Sequence, residues 1–328
     1  MTVLDPPLGN TITILRAHRR RLAKLIRGDD EIVGYDAART IDLSAVAIDG
    51  LPELGELLTR LLPRPDCAVV RGAIADPART RGVRRLLHPD PDTGDMATLR
   101  DVPRRWLALD IDGLPRPDCI EAGNIPACGR VAIAELPDAF QGTRCIVQAT
   151  ASHGIAPGLR LRLWFWLSRP TGGAELGRWL RGVPVDHSVF GAAQPIYTAA
   201  PIFVDGAHDP LAERIAMVPG TIEAVSVPPA STLMPHRQTR AAKATIPDGH
   251  ALAGLVRKVA RADEGERNLL TFWAACRAGE MVASGLIGAD TAAAVIANAA
   301  MLSGLPQEEA ERTAWSGVRT GLGSAHHA

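Results

Sequence analysis

An α+β fold followed by a small helical domain is what this sequence predicts, and three observations predict it. From Arg105 the chain runs as apolar strands parted by Gly/Pro-rich turns, then as a Pro/Ser/Thr/Ala-rich stretch without periodicity, and finally as alanine-rich sequence with helical spacing. A length of 328 residues exceeds what one hydrophobic core usually serves, so two domains are expected. With 46% hydrophobic and 22% charged residues the composition excludes a disordered chain. The 36 basic and 36 acidic side chains cancel, which argues against a whole-molecule polyanion binder and leaves only local patches to be sought.

In chain order, Thr11 to Arg27 fits a helix, with Ile14, Leu15, Leu22, Leu25 and Ile26 on one side and mostly basic residues on the other. Leu51 to Leu62 repeats helical spacing, and Cys67 to Gly72, CAVVRG, reads as a short strand. A polar stretch to Asp101 holds Arg79, Arg81, Arg84 and Arg85 and is expected to be an irregular loop. The strands that follow are WLALDID, CIVQATA, LRLRLWFWL and PIFVDG, while VAIAEL fits strand or helix. In LRLRLWFWL, Leu161, Leu163, Phe165 and Leu167 alternate with Arg160, Arg162, Trp164 and Trp166, so one face is core and the other carries arginine and tryptophan. Gly173 to Arg181 is a short helical candidate. The Ala-rich end predicts three helices: one opening near Asp263, where Asp263 and Glu266 have capping-box spacing, one from Asp290 to Gly304, and one from Pro306 to about Gly321. The domain plan is therefore an N-terminal helical segment over 1–64 packed on the core, a core over 65–225, a linker over 226–250 and a helical domain over 251–328.

Five cysteines at 67, 119, 128, 145 and 276, with no Cys-x-x-Cys pair and no zinc-type spacing, suggest reduced thiols in a cytoplasm. The start MTVLDPPLGNT lacks the basic-then-apolar pattern of an export signal, and no run approaches a membrane span. The expectation is a cytoplasmic protein without a membrane partner.

The chemistry concentrates at RWLALDIDG, Arg105 to Gly113. On a strand Asp110 and Asp112 share a face, about 7 Å apart at their Cα atoms. Two buried carboxylates side by side are costly without a cation, so something positive is expected beside them, and one or two divalent ions are the usual device for moving a phosphoryl or nucleotidyl group. A solvated turn before Gly113 is the plainer alternative. The hairpin QATASHGIAPGLRLRLWFWL adds Thr150, Ser152 and His153 in its turn and Arg160 and Arg162 on its returning strand, a set suited to phosphate oxygens. Asp186, in GVPVDHSVF, is either a third ligand or the cap of a helical turn. Asp205 competes for that role, although its Asp-Gly context reads better as a turn.

This order of features, Asp-x-Asp on a strand, then a small-residue and basic hairpin, then a lone aspartate, resembles the archaeo-eukaryotic primase superfamily, especially the primase-polymerases of plasmids, phages and integrated elements. The resemblance covers about residues 65 to 225 and implies a primase-polymerase core with an antiparallel or mixed sheet and flanking helices. It implies that Asp110, Asp112 and Asp186 are catalytic and bind Mg²⁺ or Mn²⁺, and that Ser152, His153, Arg160, Arg162 and Arg71 contact the incoming nucleotide. In many relatives a histidine begins the returning strand, where this chain has Arg162. Either His153 reaches the site from the turn, or Arg162 takes over as phosphate contact. The C-terminal helices, opening on GERN at Gly265 to Asn268, resemble the small helical domain that often follows such cores.

The function so implied is a DNA-directed nucleotidyltransferase that makes primers on single-stranded DNA from nucleoside triphosphates in mobile-element or phage replication, with a helicase or replication-initiation protein as a further partner. The basic N-terminal segment and Arg79 to Arg85 are then candidates for template or primer contacts. Two other readings stand beside it: a metal-dependent nuclease or phosphodiesterase using the same carboxylates on water, and a non-catalytic replication-initiation protein that binds DNA.

Overall fold

The computed structural model describes residues 8–28, 31–233, 249–263 and 265–325. The fold is α+β, and the chain divides into two compact units, Met1–Arg237 and Gln238–Ala328.

Where a helix is expected the first unit has β1 (Thr11–Ala17), followed by β2 (Leu25–Ile26), β3 (Ile32–Val33) and β4 (Ile41–Ala47). The leucine spacing of 11–27 fits a helical stripe, but Thr-Ile-Thr-Ile is a β-branched run that packs better on a pleated surface, and five of the seven residues of β1 are buried. The described part of the 1–64 segment therefore holds more strand than helix. Its one long helix, α1 (Leu51–Leu61), buries Leu51, Leu54, Leu57, Leu58 and Leu61 on one stripe. Then come β5 (Cys67–Val70), β6 (Ala73–Ile74) and β7 (Leu99–Arg100). β4, β1 and β5 form a three-stranded sheet with β1 in the middle, antiparallel to both neighbours.

The site rests on the next elements: β8 (Arg104–Leu114), α2 (Ile125–Ala134), β9 (Cys145–Ala149), β10 (Leu159–Thr171), α3 (Gly173–Trp179), β11 (Ile202–Phe203) and β12 (Ile215–Val218). VAIAEL thus lies mainly in α2, capped by the Asn124 side chain, which accepts from the Ala127 N–H. The four-stranded sheet has the order β12-β9-β10-β8, every pair antiparallel. On the odd-numbered face Leu107, Leu109, Ile111, Leu161, Leu163 and Phe165 are fully or almost fully buried. There Phe140 meets Phe165 edge-on at 5.0 Å. Gly129 of α2 lies so near the sheet that a Cβ would fall 2.4 Å from Val147 Cγ2. The even face carries Trp106, Trp164, Arg162, Arg160, Asp110 and Asp112, as the alternation predicts. β2 pairs with β11 in parallel and with β3 in antiparallel fashion. Val204–Ala207 closes a tight turn with positive φ at both Asp205 and Gly206, so Asp205 is a turn residue. Its last described element is α4 (Ala230–Leu233); the remainder of the expected linker, 234–248, lies outside the described residues.

The second unit has α5 (Gly249–Ala260), α6 (Arg267–Ala283), α7 (Ala289–Leu302) and α8 (Gln307–Ala325) around a core of Val259, Ile296, Val318 and many alanines. α5 occupies sequence assigned partly to the linker. The capping box of Asp263 and Glu266 does not form: Gly265, at φ +97°, inserts a left-handed turn, and the helix begins at Arg267 with Glu266 as an N-cap whose side chain makes no capping bond. Asn268 of GERN ties α6 to α8, donating to Glu309 Oε1 (2.9 Å) and accepting from Thr313 Oγ1 (2.7 Å). Among the described residues no helix is long and apolar enough to cross a membrane.

Candidate functional site

The sheet register puts the acids opposite arginines. Across the β8–β10 ladder Asp110 pairs with Arg162 and Asp112 with Arg160, so each acid faces a base on the same side of the sheet. Just beyond Asp112 the register slips by one residue, leaving Gly113 unopposed at φ +82°. This is a bulge of the kind that needs glycine, and it bends β8 away as Asp112 reaches solvent. Its partner strand needs glycine too: Gly158 has φ +76°, and a Cβ there would lie 2.9 Å from Leu114 O.

Arg162 is the best-held side chain of the corner. Its Nε donates to Asp110 Oδ1, its Nη2 to Asp110 Oδ2 at 2.7 Å, and its Nη1 to the Tyr197 carbonyl. The pair is a fork-on-carboxylate contact with Arg162 7% and Asp110 20% exposed. Burial works against the guanidinium charge, but the Asp110 carboxylate outweighs it, and the Arg162 pKa moves up. The second pair is looser: Arg160 Nη1 donates to Asp112 Oδ1, with Asp112 70% exposed.

Asp186, 76 residues further along from Asp110, arrives at the same corner. Its backbone N–H donates to the Asp110 carbonyl at 3.0 Å, and its charge acts on Arg162. Its side chain also caps the short helical turn His187–Phe190, accepting from Ser188 N–H (2.8 Å) and Ser188 Oγ (2.7 Å). The capping and the proximity to Asp110 both hold.

The other nominated residues do not join them. His153 is fully buried; the Arg160 backbone N–H donates to its Nδ1 (3.2 Å), so the ring proton sits on Nε2 and goes to the Ala122 carbonyl (3.0 Å). Burial lowers its pKa and keeps the ring neutral. It fastens the turn instead of reaching a ligand. Ser152, 6% exposed, lies in that turn, its carbonyl accepting from Ala156 N–H at 2.9 Å. Arg71 is 1% exposed and stacks over Trp106 at 5.2 Å, donating to the carbonyls of Trp106 (2.9 Å) and Thr171 (2.8 Å). Burial, then the nearby Arg104 charge, pull its pKa down to about 9. It cements β5 to β8, about 13 Å back along the strand from Asp110. Arg84 is also engaged, with Asp90 and Asp95.

Sequence reasoning missed the aromatic side of the corner. Tyr35 and Tyr197, the chain's two tyrosines, stack at 3.5 Å and 9°. Burial pushes the Tyr35 hydroxyl up to about 12, against the pull of Arg162 and with the repulsion of Tyr197 and Asp110. The signal available was rarity: two tyrosines in 328 residues.

Three carboxylates offer oxygen donors of the type Mg²⁺ or Mn²⁺ takes. As they stand they are not a ready metal site. Both Asp110 oxygens face Arg162, Asp112 faces Arg160, and Asp186 holds Ser188; among the described residues no group of three His, Cys, Asp or Glu side chains is arranged to hold an ion. The positive group beside the strand's paired acids is arginine. No protein-family model, curated protein or solved structure matches the chain.

Proposed function

We propose that the first unit is a nucleotidyltransferase of the primase-polymerase type, making primers on single-stranded DNA in the replication of a mobile element or phage. The observation that carries this reading is the hydrogen bond from Asp186 N–H to the Asp110 carbonyl, which joins a lone aspartate to the Asp-x-Asp strand at one corner of the sheet. Asp110, Asp112 and Asp186 would hold Mg²⁺ or Mn²⁺, whose contribution is to neutralise triphosphate charge. For that, Arg160 and Arg162 must exchange carboxylate for another anion, and guanidinium forks suit phosphate oxygens equally well. In the reaction a primer 3′-oxygen bonds to the α-phosphorus, the α–β bridging P–O bond breaks, pyrophosphate leaves and the hydroxyl proton passes to solvent.

The test uses the full chain, unprimed circular single-stranded DNA, labelled nucleotides of both sugar types, and Mg²⁺ or Mn²⁺. Labelled primers are expected, and Asp112→Asn abolishes them at unchanged melting temperature, because Asp112 is 70% exposed. Synthesis undiminished in Asp112→Asn and Asp186→Asn would overturn the reading.

One observation favours a second reading, a DNA-binding replication protein without catalysis: Arg162 occupies both Asp110 oxygens and stands where many members of the resembled family carry histidine. Salt-sensitive DNA binding that survives both substitutions, with no synthesis by the unaltered chain, marks that case.

A further inference from the structure

β4 is an edge strand of its sheet, and its outer edge is covered only in part. The odd-numbered N–H groups point away from β1: Ile41 exchanges both backbone bonds with Val83 at 2.9 Å, and Leu43 N–H donates to the Thr80 carbonyl at 2.7 Å. Before Thr80 the covering segment bends off the edge, Arg79 N–H donating to the Asp76 carbonyl at 3.0 Å. β4 runs on to Ala47, and by the same alternation the N–H groups of Ala45 and Ala47 face outward, where nothing among the described residues bonds to them. Ser44, Ala45 and Ala47 are exposed. Edges are usually blunted by charge or proline, and Ser44–Ala47 carries neither. A groove of about 720 Å³ adjoins this open stretch, with Thr13, Leu43, Ala45 and Ala47 on its floor and β6 and Thr80 in its wall. Among the described residues the one charge in its lining is Arg100, which is exposed; Asp101 follows it in sequence but makes no ion pair with it.

We propose that this edge and its groove receive an extended acidic segment of a partner protein, which adds as a strand beside Ala45–Ala47 and sets a carboxylate against Arg100. The inference stands apart from the transferase reading. Three features carry it. The 80–83 segment already pairs with β4 as a short strand would, so an incoming segment continues a line of hydrogen bonds that the fold has begun. The floor beside the open N–H groups is alanine and threonine, which leaves room for the alternate side chains of an added strand, and the volume lies within the range of ligand pockets. And the groove is lined by a guanidinium and no acid, with Arg79 and Arg81 on either side of Thr80, so the complementary segment is negative. A second copy of β4 offers Ser44, Ala45, Val46 and Ala47 at the same edge, with no acid for Arg100. Single-stranded nucleic acid answers the arginines but not the alternating backbone donors and acceptors of a strand edge.

The experiment selects random dodecapeptides displayed on phage against the full chain and measures the enriched sequences, as labelled synthetic peptides, by fluorescence anisotropy. Enriched peptides are expected to alternate apolar residues and to carry Asp or Glu. Ala45→Pro removes one outward N–H at an edge position that tolerates proline and leaves the bonds to β1 in place, so peptide affinity should fall about fivefold or more. Arg100→Gln should weaken binding about threefold, and changing the peptide's acid to its amide should cost as much in the unaltered chain but nothing further in Arg100→Gln. Bound peptide should also slow hydrogen exchange at 44–47 in the unaltered chain, and this measurement decides should Ala45→Pro fail to fold. No enrichment, full affinity in a folded Ala45→Pro, or protection elsewhere than 44–47 overturns the proposal. A dimer of the unaltered chain in sedimentation that Ala45→Pro abolishes would assign the edge to a second copy. Displacement of the peptide by an oligothymidylate whose own binding is weakened in Arg100→Gln would assign the groove to nucleic acid. Either result also overturns it.

Discussion

Asp110 and Arg162 each make the other's burial tolerable. With side chains 20% and 7% exposed, neither charge has enough water around it to stand alone, and a half-removed pair leaves an uncompensated charge behind. Asp110→Asn is therefore expected to destabilise the first unit by about 3 kcal/mol, and Arg162→Leu by a similar amount, while Asp110→Asn/Arg162→Leu costs clearly less than their sum. Urea unfolding of the four proteins measures the coupling, and simple additivity would mean that the pair is not a stabilising contact. For this reason Asp112, not Asp110, is the cleaner catalytic probe. The tyrosine stack makes a prediction in pH. An ordinary tyrosine loses its proton near 10, but Tyr35 holds its own to about 12, and Tyr197 is also raised by burial. Between those values the unfolded chain gives up a Tyr35 proton that the native chain keeps, so stability falls as pH rises from about 10 through about 12. With two tyrosines present, phenolate absorbance is easily assigned: the folded protein should show little rise at pH 10, and Tyr35→Phe should remove the step near 12. A full two-tyrosine step at pH 10 in folded protein would contradict the burial of the stack.

At the scale of elements, the sequence was legible wherever one period dominated. β10 alternates leucine or phenylalanine with arginine or tryptophan, and its faces followed directly; α1 carries five leucines on one stripe, and its helix followed as directly. β1 departs from the expected helix because Thr11–Ala17 is followed by basic residues and leucines at spacings that also suit a helix; only tertiary packing on β4 and β5 decides between the two. α6 lies where the spacing predicts a helix but starts later, at Arg267, because the left-handed turn at Gly265 is not written in composition. The corner itself was half legible. Asp110 and Asp112 on one face, and Arg160 and Arg162 on another strand's face, were both readable, but the register that sets them opposite one another is a property of the pairing. That register changes the meaning of the acids, from carboxylates awaiting a cation to carboxylates already holding one. His153 and Arg71 misled for a common reason: polar side chains near a presumed site suggest ligands, whereas both are buried and bond to backbone groups.

The whole molecule has no net charge, so any strand binding draws on local positive groups such as the arginines of the corner. It also has more than one core. Every residue of the large apolar cluster around β8–β10 and α1, and of the smaller one around Leu15 and Leu43, lies in the first unit, whereas Val259, Ile296, Val318 and the alanines around them belong to the second. The second core is built on small residues because α6 and α8 touch through their backbones: a Cβ at Gly321 would fall 2.0 Å from the Cys276 carbonyl oxygen, and one at Gly317 2.5 Å from Ala275 Cβ. Flexible side chains can yield to such a clash, but a helix backbone cannot, so Gly321→Ala must part the two helices, at about 2 kcal/mol or more. In the first unit Leu163→Ala empties a fully buried position on β10 and should cost about 2–5 kcal/mol. Scanning calorimetry of the full chain should resolve two transitions. Gly321→Ala should lower one of them, by about 10 °C for a unit of this size, and Leu163→Ala should lower only the other. A single transition displaced by either substitution would show that the two cores unfold as one cooperative body.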